Sequence, residues 1–144
     1  MILNYIKKNQ KKIEDENGEK LIKVTSLLIH AAKIDDNYSD KEKLIISNFL
    51  KSFDHKSEDV ENIIKKAEEN EKDSNQILEY TKEIKNNPLE FRSKIVKVLW
   101  EIILSDNSSD MYETNLIRRV CGLLYLPDKV SGEIKLEILR NKKL

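Results

Sequence analysis

One stretch of this chain is written twice. LLIHAAKIDDNYSDKEKLII, beginning at Leu27, aligns without gaps to VLWEIILSDNSSDMYETNLI, beginning at Val98, at an offset of 71 residues. In this register Asp35 falls on Asp106, Asp36 on Asn107 and Glu42 on Glu113. Apolar positions match too: Leu28 meets Leu99, Ile45 meets Leu116, Ile46 meets Ile117 and Phe49 meets Val120. Self-similarity of this kind means that one supersecondary unit is used twice. Each unit reads as a buried helix, an acidic turn and an amphipathic helix, so a pseudo-twofold arrangement with the two buried helices at its centre follows.

The buried character comes from the apolar pattern. Leu21, Ile22, Val24, Leu27, Leu28, Ile29, Ala31, Ala32 and Ile34 cover most of the circumference of a helix, as do Phe91, Ile95, Val96, Val98, Leu99, Trp100, Ile102, Ile103 and Leu104. A helix apolar nearly all round belongs inside the fold. One-sided stripes at Val60, Ile63, Ile64 and Ala67, and at Ile77, Tyr80, Thr81 and Ile84, predict outer helices over that pair. Asn87 before Pro88 predicts an N-cap with Pro at the first helical position. Ser57 and Asp73 or Ser74 mark further starts, and Pro127 with Asp128 opens a last helix ending near Arg140. Three Gly and two Pro leave few residues for tight hairpins, which argues against sheet.

The expectation is an all-α bundle of about seven helices, two pseudo-symmetric helix-turn-helix repeats around two central buried helices. At 144 residues it is sized as a single domain, 1–144. Repeat 1 covers about 19–53, the outer helices about 57–86, repeat 2 about 88–125 and the C-terminal helix about 128–141.

Lys plus Arg and Asp plus Glu stand at 26 each, so the basic excess that drives phosphate-backbone binding is missing and nucleic acid is not the expected partner. The lone Cys121 has no internal disulfide partner, and no apolar segment precedes a small-residue cleavage site, which together predict a cytoplasmic protein. No apolar run reaches membrane-spanning length. Ile2, Ile6 and Ile13 among Lys7, Lys8, Lys11 and Lys12 could lie on a membrane surface, but so few apolar residues favour a solvated helix at the core edge.

Catalytic motifs are missing: the sequence holds no Walker loop, dinucleotide fingerprint, paired zinc cysteines or nucleophile elbow, and the expectation is no enzyme. Cys121 shares a helix face with Ile117, Val120 and Leu124 and reads as a core thiol. His55 sits in a polar connector facing water. His30 and Glu101 align in the repeat, each the polar interruption of a central helix. Helices crossing at that level would join them in a charge-assisted bond, whereas the default for a lone His is a satisfied core or boundary residue. Arg118 and Arg119 point about 100° apart, so both cannot face the core. One of them is suited to clamp an acidic turn of the other repeat or to meet a partner.

The acidic turns carry the candidate site. Ser39-Asp40-Lys41-Glu42 fits the capping box, and Asp110-Met111-Tyr112-Glu113 is its variant with Asp as cap, which gives Glu42 and Glu113 a structural explanation. Asp35 and Asp106 stand where a helix should end, and a carboxylate there opposes the negative end of the dipole, so something must offset the cost. Loop amides are one means. The other is a hard divalent cation, calcium or magnesium, held by Asp35, Asp36 and Glu42 in one turn and by Asp106, Asp110 and Glu113 in the other. Neither turn is an EF-hand, since Ile46 and Ile117 occupy the twelfth positions.

The pattern Ala32, Asp35, Ser39, Glu42 resembles the first repeat of the TerB-like tellurite-resistance family. The second half resembles it more closely through Leu99, Trp100, Asp106, Tyr112, Glu113, Arg118, Arg119, Leu123 and Leu124. The likeness covers roughly residues 20–140. The family's Asp-Gly turns have Asp36 and Asn107 in place of Gly, the residue types that best tolerate a left-handed backbone, and Ile103 and Leu104 replace its alanines. The resemblance implies an all-helical fold, a non-enzymatic role in stress or ion-related physiology, divalent-cation binding at the acidic turns and a protein partner. The alternative is a purely structural or scaffolding helical domain with no ligand.

Overall fold

The computed structural model describes residues 18–34, 38–53, 57–73, 77–106 and 111–142, with backbone alone for 57, 58, 73, 106 and 111–113. Helix α1 covers 18–32 of these. It is followed by α2 (Asp40–Lys51), α3 (Ser57–Asp73), α4 (Leu78–Ile84), α5 (Leu89–Ile103), a 3-10 turn (Leu104–Asp106), α6 (Met111–Leu123) and α7 (Asp128–Lys142). The described residues contain seven helices and no strand, as an all-α fold requires.

The repeat is visible in the helix limits. The first buried helix ends at 32 and the second at 103, and the amphipathic helices start at 40 and 111, each pair 71 apart. The apolar belt behaves as its periodicity dictates. Val24, Leu27, Leu28 and Ile29 of α1 and Ile95, Val96 and Leu99 of α5 are wholly buried, and each such aliphatic side chain contributes roughly 1.5–3 kcal/mol. Helix α5 packs against α2, α6 and α7, while α2 also meets α3, and α4 and α7 both meet α6. Buried hydroxyls on α1 are satisfied locally: Thr25 donates to the Leu21 carbonyl at 2.7 Å, and Ser26 to Ile22 at 2.8 Å and across to Ala67 of α3 at 3.3 Å. The α3 and α4 stripes face inward, with Val60, Ile63 and Ala67, and Ile77, Tyr80, Thr81 and Ile84, all buried.

Trp100 fixes α7 on the core. Its indole N–H donates to the buried Ser131 hydroxyl at 3.0 Å, so each polar group removes the desolvation cost of the other. Cys121 joins the same junction from α6. Burial pushes its thiol above the ordinary range, and a hydrogen bond from Ser131 pulls part of the way back. It is a core thiol.

Two helix boundaries are corrected. Pro88, not Asn87, is the cap of α5, because Arg92 N–H bonds the Pro88 carbonyl and Leu89 is the first helical residue. The Asn87 side chain instead donates its amide to the Glu83 and Ile84 carbonyls, closing α4, and its Oδ1 accepts from Lys20. Asp73 ends α3 and does not begin the next helix; Ser74 lies outside the described residues. His30 is a satisfied boundary residue, as the default reading had it, and not the partner of Glu101: its Nδ1 lies 3.4 Å from Glu71 of α3, which also accepts from Lys33 at 2.8 Å. Arg118 and Arg119 are both exposed. The basic N-terminal segment and His55 lie outside the described residues.

Helix α6 stops without glycine. Tyr125 takes φ 54°, and Leu126 N–H reaches back to the Cys121 carbonyl at 2.9 Å while Tyr125 N–H reaches Gly122 at 3.3 Å. This is a left-handed helix termination that normally selects Gly or Asn. Arg92 of α5 clamps it, donating to the Leu124 carbonyl at 2.8 Å and to that of Tyr125 at 3.2 Å.

Candidate functional site

The first acidic turn is built by its cap. Glu42 N–H bonds the Ser39 hydroxyl oxygen at 3.3 Å, and Glu42 Oε1 accepts from both the Ser39 N–H and O–H at 3.0 Å. Both arms of the capping box are therefore present, and Glu42 is buried at 3% exposure. Such a box satisfies amide donors that a helix start would otherwise leave orphaned. The turn is also pinned at both ends to α3: Lys33 on one side pairs with Glu71, and Tyr38 on the other donates to Glu68 at 3.2 Å. Burial, reinforced by Glu68 and Glu42, holds the Tyr38 phenol well above its usual range. It stays a neutral donor.

The end of α5 is held to the start of α2 by a lysine. Lys41, in the first turn of α2, donates to the Ser105 carbonyl at 2.7 Å, so the start of α2 and the end of α5 share one end of the bundle. Lys142 of α7 donates to the neighbouring Leu104 carbonyl. Two ammonium groups thus meet the negative end of the α5 dipole, which offsets the cost of placing acidic residues there. Half-buried Glu101, one turn earlier, has its carboxyl pushed up by desolvation, with Lys97 and Lys142 pulling the other way.

Of the six carboxylates named as cation ligands, Glu42 alone has a described side chain. Asp35, Asp36 and Asp110 lie outside the described residues, and Asp106 and Glu113 are described in backbone only. Among the described residues no three His, Cys, Asp or Glu side chains converge as an ion shell would. Glu42 Oε1 is already committed to Ser39, and the other ligands of such a shell would have to come from the five aspartates and glutamates just named. The lysines at the end of α5 escaped sequence reading. Lys41 and Ser105 are 64 residues apart, and no local pattern links them.

Among the described residues no helix is long and apolar enough to cross a membrane. No curated protein and no solved structure matches the chain. The family model of tellurite resistance protein TerB matches residues 21–136.

Proposed function

The chain belongs to the TerB family, and from that premise we propose a non-enzymatic cytoplasmic module that binds a protein partner and takes a divalent cation, calcium or magnesium, where its two acidic turns meet. The observation that supports this reading is the Lys41 to Ser105 bond, which ties the start of α2 to the end of α5. Asp35, Asp36 and Glu42 would serve one turn and Asp106, Asp110 and Glu113 the other. Oxygen ligands drawn from two adjacent turns suit a hard cation. The physiological setting that accompanies this reading is response to stress or ion imbalance.

A second reading, a ligand-free scaffold, is favoured by a different observation. The Ser39–Glu42 box and the Lys41 and Lys142 ammonium groups already supply the bonds and positive charge that the turns need. Thermal unfolding of chelator-treated protein, titrated with calcium, magnesium and manganese beside an Asp35→Asn, Asp106→Asn double variant, separates the two. Linkage requires the midpoint of the parent to rise with cation, by about 2.7 kcal/mol of stability at a hundredfold excess over Kd, and the variant to lack that rise. A midpoint unmoved up to millimolar cation selects the scaffold.

A further inference from the structure

Away from the acidic turns, α4 and α6 leave an open cleft of about 290 Å³. Arg92, which clamps the α6 terminus beside it, stands twelve residues before Leu104, so the helical rise puts the cleft ~18 Å along α5 from the lysine-capped end. Leu78 and Tyr125, 48% and 70% exposed, and Leu123 supply its apolar lining. Lys82 and Lys85 are its charged lining, and no acid lines it. Glu83 of α4 is turned away onto Lys23 of α1 at 2.9 Å.

Two features shape the surface of this cleft. A Cβ on Gly122 would meet nothing within 4 Å, so neither packing nor a positive φ requires glycine there, although glycine inside a helix is unfavourable. Tyr125 holds a left-handed backbone that a large side chain resists, yet its ring faces solvent. The Arg92-clamped α6 terminus fixes this conformation and holds the ring at the cleft. Arg118 and Arg119, four and three positions before Gly122 and both exposed, continue the positive charge along α6.

We propose that this cleft docks an acidic amphipathic segment of a partner protein, an apolar side chain entering between Leu78 and Tyr125 and carboxylates meeting Lys82 and Lys85. The complementarity decides the occupant: both lining charges are positive, the walls are apolar, and bare backbone at Gly122 lets a chain approach closely. The mode is anchor-in-groove recognition. It rests on the partner half of the functional reading and is independent of the cation half.

The test is fluorescence anisotropy in chelator with labelled amphipathic peptides of Glu, Asp, Leu and Phe, and counterparts with Lys for every acid. The acidic peptides are expected to bind and to weaken with salt. Lys82→Glu with Lys85→Glu should lower affinity at least ~10-fold, and Gly122→Glu should do so with its unfolding midpoint intact. Tyr125→Gly should lose affinity while its midpoint holds or rises, which separates lost binding from lost folding. No binding of the acidic peptides, equal binding of the basic ones, or binding indifferent to these variants overturns the proposal. So does concentration-dependent self-association abolished by Gly122→Glu, which would make the occupant a second copy. Because chelator is present throughout, a failed cation titration leaves this result standing.

Discussion

The Lys41 ammonium of one repeat closes the helix end of the other, donating to the Ser105 carbonyl at 2.7 Å. A positive charge here does what a bound cation would do, so under the proposed function the two would compete. Lys41→Met should lower stability by about 0.5–1 kcal/mol, the value of a cation at a helix C-terminus. It should also enlarge any rise in midpoint produced by magnesium or calcium. Calorimetry of parent and variant, each with and without cation, checks both effects, and an unchanged cation response would uncouple Lys41 from the turns.

Ser39→Ala removes a donor to buried Glu42 and an acceptor for its N–H together. A loss of about 1–2 kcal/mol is expected, or roughly 3–8 °C in midpoint for a chain of this size. Asp40→Asn, exposed in the first turn, should cost only a few tenths of a kcal/mol. Thermal denaturation of the two side by side tests whether the box or mere first-turn charge holds α2.

Which of these features could be read in advance follows from their range. The Ser39–Glu42 box was legible because its partners are three residues apart, and the buried helices because their apolar residues cover most of the circumference. His30 shows the limit. The repeat aligns it with Glu101, but alignment relates positions by symmetry and does not bring them together; the partner is Glu71, on α3, outside both repeats. At Asn87 the local signal was overridden by Lys20, 67 residues away, which takes the side-chain oxygen a cap would use. The α6 terminus offered no glycine to announce it, so Tyr125 gave no warning of its conformation.

Glu101 sets a pH dependence. Burial raises its carboxyl in the folded state, so its contribution is fully present below the unfolded glutamate range and is lost as pH rises through the folded value. The ionised form therefore costs stability at neutral pH. Glu101→Gln should unfold at higher temperature than the parent near pH 7, with the advantage shrinking as the solution is acidified through the glutamate range. A constant difference across that titration would assign the effect to packing.

Tyr125→Gly tests the strain at the α6 terminus. Relief of the left-handed backbone is worth about 1 kcal/mol, partly cancelled by the greater freedom of glycine in the unfolded chain. Denaturant unfolding should show a midpoint equal to or above that of the parent. A clear fall would mean that the exposed ring contributes to packing.

The Trp100 to Ser131 bond has a practical consequence. The chain contains one tryptophan, and it sits buried where α5, α6 and α7 converge, its N–H on Ser131 and Lys135 4.9 Å above its ring. Its emission is therefore an intrinsic optical gauge of whether α7 is seated. Release of that helix would wet the indole and shift the spectrum to longer wavelength, without any label added to the protein.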